Sequence, residues 1–73
     1  MQIVNEKIAI LVEDIVAKRK RTCNWAEMFE NSDGTCYVDV NDSPKHNPWL
    51  NTTYRLLIDK NYSILSIELK KWT

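Results

Sequence analysis

The chain has 73 residues and a mass of 8.6 kDa, with 44% hydrophobic and 27% charged residues and a formal net charge of zero. That leaves room for one small domain, residues 1–73, with a composition ordinary for a globular protein and too apolar for a disordered one. Zero net charge gives no whole-molecule argument for nucleic acid or a membrane, a single glycine excludes Gly-rich phosphate loops, and no apolar run approaches the roughly 18 residues of a membrane span.

Residues 3–17 set the organisation. Val4, Ile8, Leu11 and Ile15 recur at steps of four, three and four, the period of a helix, and Ile3, Val12 and Val16 widen the stripe. One amphipathic helix is marginal in water, so the stripe predicts a covering layer elsewhere in the chain or in a second copy. The basic run Lys18, Arg19, Lys20 and Arg21 falls where the last helical turn should be, and cations there favour the exposed carbonyls of the helix end. The apolar start is interrupted by Asn5, Glu6 and Lys7, unlike a secretory leader, so a cytoplasmic protein is expected.

Residues 22–30 allow two readings. Asn24-Trp25-Ala26-Glu27 fits a capping box that would start a short helix. Against it, Asn31-Ser32-Asp33-Gly34 suits a type I turn followed by a left-handed glycine, a common closure of a hairpin. The second reading predicts a strand over about 25–30, with Trp25 in the core. Residues 35–41 alternate cleanly, placing Cys36, Val38 and Val40 on one strand face. Residues 42–51 hold both prolines and no period, which predicts a loop. Residues 53–59 alternate again through Tyr54, Leu56 and Ile58. Asp59-Lys60-Asn61 predicts a tight turn with Asn61 left-handed, and residues 63–71 return with Leu65, Ile67 and Leu69 on one face. The expected fold is α+β, an N-terminal amphipathic helix packed on a three- or four-stranded antiparallel β-meander.

Catalytic and metal chemistry find little support. The one histidine, His46, sits in the proline loop, and the two cysteines, Cys23 and Cys36, form no close pair with it or with each other. No metal or cofactor is expected. A Cys23–Cys36 disulfide is conceivable if the 31–34 turn brings the two together, although thiols inside a cell usually stay reduced.

Charge is segmented rather than absent: +2 over residues 1–21, −5 over residues 22–42 and +3 over residues 43–73. The acidic stretch, with Glu30, Asp33, Asp39 and Asp42, is a candidate surface for the basic groove of another protein, such as a nucleic-acid enzyme. Trp49, stiffened by Pro48 in a polar loop, is either an anchor for that partner or a lid on the sheet end. The leading expectation is therefore a non-enzymatic protein-binding module, an inhibitor or regulator of the kind that viral genomes also encode. The alternative is a small RNA- or DNA-binding protein using Lys18, Arg19, Lys20 and Arg21 on phosphates, with nearby tryptophans for stacking. Apolar side chains left over, Ile64 and Leu57 among them, predict a homodimer. Trp72, near the C-terminus, is expected to be packed or bound.

Overall fold

The computed structural model describes residues 5–70, so the readings placed on Ile3, Val4 and Trp72 lie outside the described residues. Helix α1 runs Glu6–Lys18, and strands β1 (Thr22–Glu30), β2 (Cys36–Ser43), β3 (Thr52–Ile58) and β4 (Ile64–Lys70) follow in order. They form one antiparallel sheet, β1-β2-β3-β4, each strand paired with its neighbour in sequence. This is the α+β arrangement expected from the periodicities.

Both ends of α1 are closed by local chemistry. Asn5 is the N-cap, its side-chain oxygen accepting from the amides of Lys7 and Ile8 at 3.0 and 3.2 Å. At the other end the Lys20 amide donates to Ala17 and the Arg21 amide to Val16, the paired bonds of a Schellman motif. That motif puts Lys20 in the left-handed region, φ 56°, where glycine is the usual occupant.

The helix turns its stripe differently from the simplest sequence pattern. Ile8, Val12 and Val16 are the buried line, while Leu11 and Ile15 flank it, half-buried. These side chains meet Ala26 from β1, Cys36, Val38 and Val40 from β2, and Tyr54, Leu56 and Ile58 from β3. Of the strands, β1 lies closest to the helix. Ala26 is the small residue that permits this approach, while the longer side chains of β3 fill the widening gap.

The strand reading of residues 22–30 holds, with an earlier start at Thr22. The expected cap Asn24 instead occupies a bulge in β1, donating across the sheet to Asn41 Oδ1 and Ser43 Oγ. Trp25 corrects its expectation. Ala26 and Met28 take the core side, so the pleat turns Trp25, Glu27 and Phe29 to the opposite face.

The two hairpins share one geometry. The Asn31 amide donates to the Thr35 carbonyl and that of Gly34 to Asn31; the Asp59 amide likewise donates to Ser63 and that of Tyr62 to Asp59. The left-handed residue is therefore the fourth of each turn, Gly34 in the first (φ 91°) and Tyr62 in the second (φ 66°), not Asn61. Asp59 Oδ1 accepts from the amides of Asn61 and Ser63, and the Lys7 ammonium lies 5.1 Å from the centre of the Tyr62 ring; together they hold this turn.

β4 departs furthest from expectation. Ile67 lies opposite Leu56 and Leu69 opposite Tyr54, on the helix side of the sheet, yet they remain 58% and 62% exposed because the helix lies toward the other edge. Ile64, expected to point away, packs on the core beside Ile58, brought round by a bulge. Cys23 and Cys36 begin successive antiparallel strands and so sit at opposite ends of the hairpin, which rules out a disulfide between them.

Candidate functional site

Two aspartates three residues apart on β2 divide the polar chemistry of the molecule between the two faces of the sheet. Asp42 continues the core-side alternation of Cys36, Val38 and Val40 and is 0% exposed. Arg19 Nε donates to its Oδ2 at 2.8 Å, Arg21 Nε to its Oδ1 at 2.6 Å and the Tyr54 hydroxyl to its Oδ2 at 2.9 Å. Arg21 also donates to the carbonyls of Asp42 and Leu50 and to Thr52 Oγ1, tying the loop of residues 44–51 to the helix end. The Arg19 guanidinium rests 4.9 Å from the centre of the Tyr54 ring.

Burial pushes the Asp42 carboxyl up, but the hydrogen bonds from Arg19, Tyr54 and Arg21 together outweigh it and hold the group below the usual carboxylate range. Burial and the Asp42 carboxylate keep the Tyr54 phenol protonated well above its ordinary value. The hydrogen-bonding capacity of the buried carboxylate is met within the cluster.

This changes what two expected sites can do. Asp42 is not part of an acidic surface; Arg19 and Arg21 both pair with it, and Arg19 keeps part of its side chain in solvent. Lys18 pairs with Asp14 on the helix at 2.9 Å, both side chains largely exposed, and Lys20 forms the left-handed cap through its backbone with its side chain in solvent. Of the other expected acids, Asp39 is buried and paired, Glu30 is exposed at the end of β1, and Asp33 is exposed in the first turn, accepting from the Thr35 amide and hydroxyl. Those Thr35 bonds hold the Asp33 carboxyl below its usual range.

The sheet face opposite the helix is built differently. Trp25 and Phe29 are 40% and 44% exposed there, with Tyr37 and Leu57 half-buried beside them. A charged row crosses all four strands in register: Glu27, Asp39, Arg55 and Glu68. Arg55 Nε and Nη2 donate to the two oxygens of Asp39 at 2.7 and 3.0 Å, and the guanidinium lies 5.0 Å from the centre of the Tyr37 ring. Lys70 Nζ approaches the same carboxylate at 3.6 Å. The Arg55 hydrogen bonds hold Asp39 below the usual carboxylate range. With Glu27 and Glu68 counted, this row leaves the face slightly acidic.

One rim of this face is an amide network. Asn41 accepts from Asn24 and donates to Asn51 Oδ1 and Thr53 Oγ1, and Asn51 donates to the Trp49 carbonyl. The loop is thereby fastened at the rim, with Trp49 71% exposed. Trp49 is not a lid.

The sequence pattern singled out Trp49 and the acids, gave Trp25 only as a core residue or a stacking partner for nucleic acid, and did not point to Phe29 or Arg55. The signal was present: Ala26 and Met28 facing inward force Trp25, Glu27 and Phe29 outward. At the hairpin end, a half-open cavity of ≈ 190 Å³ lies between Ile8, Met28, Cys36 and Tyr62, below the roughly 300–1,000 Å³ of ligand pockets. Burial raises the Cys36 thiol above its ordinary value, the opposite of a nucleophile's environment. Among the described residues no group of three or more His, Cys, Asp or Glu side chains is placed to hold a metal, and no helix is long and apolar enough to cross a membrane. No protein-family model, curated protein or solved structure matches the chain.

Proposed function

We propose that the protein is a non-enzymatic binding module that occludes a protein partner with the sheet face opposite its helix. Trp25 and Phe29, near half exposed on a face that no element among the described residues covers, are the observation that carries this reading. Exposed aromatics in a charged frame are the composition of interface anchors. The slightly acidic charge of the face favours a basic protein surface and disfavours nucleic acid, whose phosphates it would repel. Trp49, at the rim, extends the same surface. A small inhibitor or regulator, including one of viral type acting in the cytoplasm, belongs to this class.

Photo-crosslinking in the native host tests the reading. Benzophenone side chains at positions 25 and 29 should capture one protein that position 13, on the outer side of α1, does not. With that protein in hand, Trp25→Ala should weaken binding by about 2 kcal/mol, the size of a hot-spot truncation. Equal capture from position 13 would sink the reading. A nucleic-acid adduct, with affinity falling steeply with salt and restored by no protein, would favour the rival one.

A homodimer is proposed on separate grounds, the exposed Ile67 and Leu69 on edge strand β4. Sedimentation should show a dimer at tens of micromolar; a monomer there removes it.

A further inference from the structure

The open face carries its own precedent for what it binds. Arg55, opposite Asp39 in the β2–β3 register, is gripped by a carboxylate and an aromatic ring two residues apart on the neighbouring strand, Asp39 and Tyr37. β1 repeats that pair one strand over: Glu27 lies opposite Asp39, and Phe29 opposite Tyr37. The spacing, face and direction are the same, and Trp25 adds a second ring on the other side of Glu27. What β1 lacks is a strand on its outer side to supply the cation. Among the described residues Glu27 has no ion pair, and β1 ends the sheet, so half its backbone groups face outward unpaired.

We infer that the outer edge of β1 accepts an extended, arginine-containing segment of a protein partner as a fifth strand, with the arginine opposite Glu27 and its guanidinium over Phe29 or Trp25. This rests on the proposed binding face and names the chemistry that the face selects. The occupant is argued from charge: the site is a carboxylate between two rings, and guanidinium is the cation that both hydrogen-bonds a carboxylate in a fork and stacks on an aromatic. Backbone pairing along the edge supplies affinity, and the Glu27 site supplies register. A second copy of this chain is a poor occupant, because the one arginine in its strands, Arg55, is already held by Asp39.

The test uses the full chain labelled with nitrogen-15 and titrated with the blocked peptide acetyl-Thr-Val-Arg-Val-Thr-amide and its Gln counterpart. The Arg peptide should shift the β1 amides and the Trp25 indole N–H while leaving the Trp49 indole in place, and the Gln peptide should bind at least about fivefold more weakly. Glu27→Gln, at an exposed position, should erase that preference without altering the remaining spectrum, and Trp25→Leu should reduce it. Equal response to the two peptides, shifts confined to β4 or to residues 44–51, or a preference that survives Glu27→Gln would overturn the inference. Crosslinks from positions 25 and 29 to a partner segment without arginine would overturn it while leaving the binding-face reading intact. Absence of any crosslink would instead strike the reading itself.

Discussion

Asp42 and Asp39 share a strand, and each pairs with an arginine that lies over a tyrosine ring, yet one helps hold the fold together and the other dresses a surface. Asp42 faces the helix, has no exposure, and receives two guanidinium groups and a phenol that come from the helix end, the following turn and β3. Asp39 faces away from the helix and receives one guanidinium and a more distant ammonium from adjacent strands. The difference lies in the carboxylates: that of Asp42 has no exposure and gathers three donor groups, while that of Asp39 keeps some contact with water. A buried charge stripped of its partners has nothing to replace them, whereas a pair at the solvent boundary is readily substituted by water.

Mutagenesis sharpens that contrast. Asp42→Ala should be the most damaging change, destabilising by about 2–3 kcal/mol because it removes the buried acceptor shared by Arg19, Arg21 and the Tyr54 hydroxyl, as measured by urea unfolding. If Asp39→Asn cost as much, the contrast would be broken; its melting midpoint should stay near that of the wild type.

Acid probes the same asymmetry. The Asp42 carboxyl is held below its unfolded value, so its contribution is complete above the unfolded pKa, roughly 4, and fades as pH falls through the folded one. Unfolding free energy should therefore drop on acidification below that range, and Asp42→Asn should flatten the drop. Asp39 has the same sign of shift, but its pair is nearer solvent, so Asp39→Asn should flatten it less.

Tyr54→Phe removes one donor to Asp42 while keeping the ring under Arg19, and should cost about 1–2 kcal/mol. Lys20→Gly should stabilise by roughly 1 kcal/mol, since a left-handed position then has no Cβ to accommodate. The Lys20 change should be additive with Asp39→Asn on the far face. Coupling between them would mean that the two faces are not independent.

The expected site was partly legible. Period-two alternation through Cys36, Val38 and Val40 reaches Asp42 without a break, so its inward direction was available from parity. What parity could not supply were its partners, because Arg19 and Arg21 read as two of four ordinary cations at a helix end until the chain turns back on itself. Trp25 illustrates the reverse error. A large aromatic suggests core, yet its small neighbour Ala26 takes the inward position because the helix must pass close over β1.

The N-terminal helix and its stripe, the Asn31–Gly34 turn and the antiparallel run of the last three strands followed from the sequence alone, since period, turn chemistry and short connections are local properties of the chain. Tertiary structure alone decided the rotation of α1 onto Ile8, Val12 and Val16, the uncovered apolar side of β4, the left-handed Tyr62 and the division of the aspartates between two faces. Each depends on which surface a single helix covers when the sheet is wider than the helix, a packing choice made between segments distant in sequence and invisible to any local pattern.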